Sequence, residues 1–447
     1  MKLAFIGGGG FRVPLVYQAA TAEDAPVALD EIALYDPDAT HLEIMRTVVS
    51  EMGEHPRGPR LTWTTDLDAA LRGADFIFCS IRVGGLSARV LDERIALDLG
   101  VLGQETTGPG GIAYALRTIP VMRQIAQRVM QLCPEAYFIN FTNPAGIITE
   151  SLTPILGDRV VGICDTPIGL LRRVERLVGQ PITGFDYVGL NHLGWLRSVS
   201  TDRGDVLPGV LADDSLLQEI EEARMVGFDW VRQLGALPNE YLYYYYHTRE
   251  AIAGILAAPQ TRGEYVVSTQ GAFFKEATAH PQAALRAWEA TTHNREATYM
   301  AETRPVGQAD QRQAEDLGGG YQGVAMAIMA ALSGGPATTL ILNRLNQTAA
   351  GDAVVAGLPT NSVVEVPCVV EGGSITPLPI SAPTGHMLGL LQSVKAVEQL
   401  AIESATAGSA DLAWKALAVH PLVDSVCVAH QLIDGYRHAH QGLQYLR

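Results

Sequence analysis

Four consecutive glycines, Gly7-Gly8-Gly9-Gly10, follow the apolar run that begins at Lys2 and precede Phe11-Arg12-Val13-Pro14. After a parallel strand, glycines let the backbone approach a pyrophosphate at the positively polarised start of a helix. Gly7 and Gly9 fit the first two glycines of the dinucleotide fingerprint, while Arg12 occupies the third, so the motif is incomplete and a plain glycine turn is the alternative. Asp36 ends the second apolar run, where a carboxylate can accept from both ribose hydroxyls. That favours NAD over NADP, whose 2'-phosphate it would repel. Asp38 is the better candidate for a helix cap.

The rhythm of the first 165 residues is that of an α/β fold with a parallel sheet covered on both faces. Strands are expected at Lys2 to Gly7, Glu31 to Tyr35, Arg60 to Thr64, Asp75 to Ser80, Ala136 to Phe141 and Val160 to Cys164. Helices are expected at Thr40 to Met52, Asp66 to Leu71, Arg89 to Leu99 and Ile119 to Leu132. This makes residues 1–165 a Rossmann-type NAD-binding domain and residues 166–447 a mixed α+β catalytic domain that shares the active site. In the latter, Ile182 to Leu190, Leu196 to Val199 and Val363 to Val370 read as strands. Ser215 to Leu234, Gly319 to Ser333, Met387 to Ala407 and Leu412 to Leu417 read as helices. There is no repeat or low-complexity linker, so the two parts should dock tightly.

Charge and cysteine usage narrow the function. A formal charge of -16 excludes nucleic acid and anionic membranes as expected partners, and an anionic small substrate would need clustered arginines. Five widely spaced cysteines suggest no disulfide framework. No apolar stretch is long enough for a membrane span, and Met1 leads straight into the glycines rather than a cleavable signal, so the cytoplasm is the expected compartment.

Ligands of an open parallel sheet lie beyond the carboxyl ends of its strands. Polar residues line up there: Arg82 after Cys79-Ser80, Thr142-Asn143 after Phe141, Cys164-Asp165 after Ile163, and Asn191-His192 after Leu190. Cys164 and His192 could hold a divalent ion while leaving positions open for substrate oxygens; singly, each could be a buried core side chain. The segment Gln104 to Gly111 reads as a loop closing over cofactor or sugar. Five tyrosines within Tyr241 to Tyr246 could fill core, stack on a sugar or supply a phenolate base.

The motifs Arg82-Val83-Gly84-Gly85, Asp92-Glu93-Arg94-Ile95, Gly103 to Gly111, Phe141-Thr142-Asn143-Pro144, Cys164-Asp165-Thr166-Pro167, Asn191-His192 and Tyr241-Leu242-x-Tyr244-Tyr245 occur in one order. With the glycine loop, they resemble glycoside hydrolase family 4 over nearly the whole chain. The resemblance implies a lactate/malate dehydrogenase-like overall fold and dependence on NAD+ and Mn2+, although ligand softness alone favours zinc, iron or cobalt at a cysteine-histidine site. It also implies a dimer or tetramer acting on a phosphorylated disaccharide or glucoside. Gly7 to Gly10, Phe11, Arg12 and Asp36 are then the cofactor residues, and Cys164 and His192 the metal ligands. Tyr241 becomes the base at C2, Asp165 a proton donor, and Arg82, Arg89, Asn143, Asp165 and Arg262 substrate residues. The expected activity is that of a 6-phospho-β-glucosidase. Asp165 pulls toward the α anomer, and a hydroxy-acid dehydrogenase or a silent dinucleotide sensor are the alternatives from other classes.

Overall fold

The structure is a computed structural model that describes residues 1–53, 58–304 and 320–447. Its strands in chain order are β1 (Lys2–Ile6), β2 (Glu31–Tyr35), β3 (Arg60–Thr64), β4 (Phe76–Cys79), β5 (Tyr137–Asn140) and β6 (Val160–Gly162). There follow β7 (Gly184–Leu190), β8 (Leu193–Thr201), β9 (Gly204–Asp205), β10 (Leu237–Pro238), β11 (Thr338–Leu345), β12 (Val363–Glu371) and β13 (Ser374–Pro377). The first six pair in parallel in the order β3-β2-β1-β4-β5-β6, with the topological switch between β1 and β4. That is a Rossmann-type sheet.

The sheet continues past β6 through antiparallel β11, β12, β7, β8 and β10, so its hydrogen bonding crosses residue 165 without interruption. One face buries Phe5, Phe78, Val161 and Leu342, the other Ile6, Ile77 and Phe138, as the pleat requires. Among the described residues no helix is long and apolar enough to cross a membrane.

Several expected elements change shape for identifiable reasons. The helix expected from Ser215 to Leu234 is three short ones, Asp214–Gln218, Glu221–Val226 and Phe228–Leu234, because Ile220 is extended and Gly227 has φ 89°. The helix expected from Ile119 begins ten residues earlier and runs Pro109–Leu132. Its Gly110 and Gly111 pack so closely that a Cβ would meet the carbonyl oxygens of Gln104 and Thr106 at 2.4 Å each. The Ala/Met-rich helix is Tyr321–Leu332; Gly319, its expected start, lies outside the described residues. Asp38 caps the helix Ala39–Glu51, accepting from Thr40 N and His41 N.

A buried histidine gives the fold a pH limit. His420 is only 4% exposed, its Nδ1 accepts from Leu422 N at 3.0 Å, and burial pushes its pKa down to about 4. The unfolded chain titrates the same ring near 6.5, so below that pH it binds a proton that the folded chain refuses. The stability contributed by the neutral ring is complete above about pH 6.5 and lost as the pH falls toward about 4, on the order of 3 kcal/mol. Urea unfolding across this window should show a smaller loss for His420→Asn than for the parent; parallel curves would refute the assignment.

Candidate active site

A cavity of about 420 Å³ opens beyond the carboxyl ends of β1, β5 and β6. Phe11 and Arg12 enter it after β1, Phe141 and Asn143 after β5, and Cys164 and Asp165 after β6. His192 enters from the turn between β7 and β8, and Tyr241 from the short helix Glu240–Leu242. These side chains come from distant parts of the sequence and meet because the elements that carry them belong to, or flank, one continuous sheet.

The glycine loop is built for close approach. Gly7 has φ 105°, and a Cβ there would meet the Ser80 oxygen at 2.4 Å. Asp36 lies beside the loop: Oδ2 accepts from Gly9 N and Oδ1 from Asp38 N, each at 3.0 Å. Arg12, at the third fingerprint position, turns its guanidinium over Phe141 at 4.5 Å and Tyr321 at 5.3 Å, toward the cavity.

Asn191-His192 is the two-residue turn of the β7–β8 hairpin, with Leu190 paired to Leu193. His192 has φ 67°, a left-handed conformation that this turn ordinarily assigns to glycine or asparagine. Its Nδ1 is 3.1 Å from Thr106 Oγ1, and burial pushes its pKa down to about 4, leaving a neutral imidazole. The ring stacks on Tyr241 with centroids 3.8 Å apart and planes 7° from parallel. Asn191 Oδ1 accepts from Ala145 N at 3.1 Å, tying this turn to the Asn143-Pro144 turn.

Cys164 is buried, with Sγ 3.4 Å from Thr166 Oγ1. Burial, Glu365 and Asp165 all push its thiol well above the ordinary range. A cation between this sulfur and the neutral imidazole would offset the surrounding carboxylates, so the donor set fits a divalent metal. Among the described residues no group of three or more histidine, cysteine, aspartate or glutamate side chains is placed to hold a metal ion. Tyr241 is likewise pushed well above its ordinary value, by burial and then by Glu240 and Glu105, while a hydrogen bond from Tyr299 opposes this.

The arginines divide unexpectedly. Arg82 and Arg89 do not line the cavity; both pair with Glu105, Arg89 Nη1 at 2.9 Å, and Arg89 Nε also donates to Glu93 at 2.8 Å. Burial would raise the Glu105 carboxyl, but Arg82 and Arg89 overcome it and hold the group well below the usual carboxylate range. Arg94 is bound to Glu264. Arg262 does line the cavity, its guanidinium donating to Thr298 Oγ1 at 2.7 Å and to the Arg295 carbonyl at 2.6 Å. Beside it stands Arg295, whose pKa is pushed down to about 10 by burial and by Arg12 and Arg262.

The segment expected to cover cofactor or sugar is a bend beside the cavity that leads into a helix. Gln104 Oε1 accepts from Thr106 N and Thr107 N at 2.6 and 2.7 Å, Glu105 faces the cavity, and Pro109 already begins a helix.

The model of the family 4 glycosyl hydrolases matches residues 2–180, and that of the family's C-terminal domain matches residues 187–423. The chain belongs to glycosyl hydrolase family 4. A probable 6-phospho-beta-glucosidase of Bacillus subtilis is 30% identical over 99% of this chain and 96% of its own. A 6-phospho-alpha-glucosidase of Lacticaseibacillus paracasei is 26% identical over 96% and 94%. The 6-phospho-beta glucosidase of Thermotoga maritima, crystallised with manganese, NAD+ and glucose-6-phosphate, superposes with a TM-score of 0.82 at 25% identity, covering 100% of both chains.

Among the cavity residues of this family 4 chain that went unread in the sequence are Glu105 as a charge partner, Glu240, Arg295 and Tyr299. Arg295 lies near the end of the helix Ala284–Ala297, whose sequence resembles a solvated helix. Glu240 had a usable signal, its place directly before Tyr241.

Proposed function

We propose that the chain hydrolyses 6-phospho-β-glucosides by a redox, elimination and addition sequence. One observation carries the phosphosugar reading: Arg262 and Arg295 line the same cavity as Tyr241, Cys164 and His192, and among the described residues neither arginine makes an ion pair. Guanidinium groups gathered in a cavity can pair with an anionic ligand, and Glu105, Asp165, Glu240 and Glu296 line the same cavity. The Thermotoga maritima relative, crystallised with manganese, NAD+ and glucose-6-phosphate, supports the same cofactors here.

Gly7 to Gly10, Phe11 and Arg12 would hold the dinucleotide phosphates and Asp36 the ribose, while Cys164 and His192 would hold the divalent metal. When bound, NAD+ supplies a hydride acceptor for C3 and the metal supplies Lewis acidity at the adjoining sugar oxygens. A C3 ketone makes the neighbouring C2 hydrogen acidic, and Tyr241 removes it. Asp165 gives a proton to the departing C1 oxygen and water then adds; the bound dinucleotide would supply the hydride that restores C3. Asn143 and Arg262 orient the sugar, and Arg82 and Arg89 act from behind Glu105.

Assays with the two nitrophenyl 6-phosphoglucoside anomers test this reading: faster β hydrolysis supports it, and inactivity on both rejects it. Faster α hydrolysis would establish the second reading, which Asp165 and the Lacticaseibacillus paracasei relative favour. Arg295→Gln should raise KM for the phosphorylated substrate about 10- to 100-fold, as loss of a charged hydrogen bond does. An unchanged KM would remove Arg295 from phosphate recognition.

A further inference from the structure

Of the polar segment Gln104 to Gly111, only Glu105 lines the cavity, and the rest has no part in the scheme above. Its side chains are nevertheless ordered by one another. Gln104 Oε1 accepts from Thr106 N at 2.6 Å and from Thr107 N at 2.7 Å, and two N–H groups aimed at one atom identify it as the amide oxygen. The Thr106 hydroxyl donates to the same oxygen at 3.2 Å. A hydroxyl has one proton; with that proton turned to Gln104, Thr106 Oγ1 can only accept from its other neighbour. That neighbour is His192 Nδ1, 3.1 Å away. The ring nitrogen is then the donor, and in a neutral imidazole Nε2 keeps its lone pair. Both sides of this contact are held by the fold. A Cβ on Gly110 or Gly111 would meet the Gln104 or Thr106 oxygen at 2.4 Å, so the glycines of this segment let the helix Pro109–Leu132 pack directly on it. Opposite, Asn191 ties the turn that carries His192 to Ala145 N at 3.1 Å and to Glu365 Oε1 at 3.3 Å.

We infer that Thr106, held by Gln104, fixes His192 as the Nδ1–H tautomer and so reserves Nε2 for a divalent metal. The inference rests on the proposed reading of His192 as a metal ligand. A metal-binding histidine is regularly oriented by a partner on its second ring nitrogen, and losing that partner weakens the metal. Without an acceptor at Thr106 the imidazole proton can sit on either nitrogen, and on Nε2 it occupies the lone pair that the metal needs. The stack on Tyr241 at 3.8 Å restrains the plane of the ring but does not distinguish one nitrogen from the other. The hydroxyl makes that distinction. Thr106 acts through His192 and is a positioning residue, and the segment that contains it serves the site from behind the ring.

The test uses the full-length protein with NAD+ bound and manganese alone as the probe, its free concentration read by electron paramagnetic resonance. Thr106→Val keeps the shape and removes the hydroxyl, whereas Thr106→Ser keeps the hydroxyl. Thr106→Val should raise the Kd for manganese about 10- to 100-fold, the range for losing such a partner, while Thr106→Ser stays within about 3-fold of the parent. Thermal unfolding checks that each variant is folded. Nitrogen NMR of the metal-free parent, with the His192 signals assigned by their absence from His192→Ala, should show Nδ1 protonated and Nε2 bare. That readout needs no Thr106 variant. Parental affinity in Thr106→Val, equal losses in the folded valine and serine variants, or a proton on Nε2 of the parent would each overturn the inference. If His192→Ala binds manganese as the parent does, the metal reading itself fails; a loss in His192→Ala beside none in Thr106→Val refutes only the role of Thr106.

Discussion

Tyr241→Phe is expected to lower kcat by about 10³-fold, near the middle of the range for removing a general base. The ring's stacking on His192 at 3.8 Å survives the substitution, so folding and metal binding should not change. In the proposed sequence hydride leaves C3 before Tyr241 acts, so the variant should still build up reduced nicotinamide in a single turnover and then stall. Stopped-flow absorbance of the nicotinamide checks this. A variant that loses the reduced-nicotinamide phase together with turnover would place Tyr241 at the oxidation rather than at C2.

Removal of the metal should have an effect of similar size. Chelation, or Cys164→Ser, is expected to depress turnover by about 10³-fold or more, because a Lewis acid contributes several kcal/mol to stabilising charge that develops on oxygen. Manganese should restore the chelated parent and restore Cys164→Ser poorly. Metal analysis of protein purified without chelator, read beside turnover, makes the comparison. The fold should be indifferent to the treatment, since the hydrophobic packing lies on the two faces of the sheet and the cavity at its edge. Full activity after exhaustive chelation would remove Cys164 and His192 from the chemistry.

The sequence made the parallel half of the sheet readable because most of its strands are short buried apolar runs bounded by polar residues, as in Glu31–Tyr35; the edge strand Arg60–Thr64, with no buried residue, also matches its expected limits. The strand-end argument also found Asn143, Cys164, Asp165 and His192, since position after a strand is a local property. β11 was missed because Asn343 and Arg344 interrupt its apolar pattern; both are buried, Asn343 donating to Glu365 at 3.0 Å and Arg344 to the Val160 carbonyl at 2.6 Å. The helix Arg262–Ala279 was missed although Thr261 and Glu264 form a capping box, a signal that Gly263 obscures. Gly263 is there because Glu93 Oε2 accepts from its nitrogen at 2.7 Å, where a Cβ would have no room.

Charge partners were the hardest feature to read. Arg82, Arg89 and Arg295 are alike in one dimension, and only packing reveals that Glu105 neutralises the first two while the third faces the cavity. The hydroxyl contact between Tyr299 and Tyr241 joins residues 58 positions apart and leaves no periodic trace.

The account turns on a transiently oxidised sugar whose C2 hydrogen becomes removable. Hydrolysis of a 6-phospho-β-glucoside in heavy water, with the released glucose 6-phosphate read by proton NMR, measures this directly. Deuterium should appear at C2 in the product, with no net accumulation of reduced nicotinamide. Product that keeps its original C2 hydrogen throughout would contradict the account.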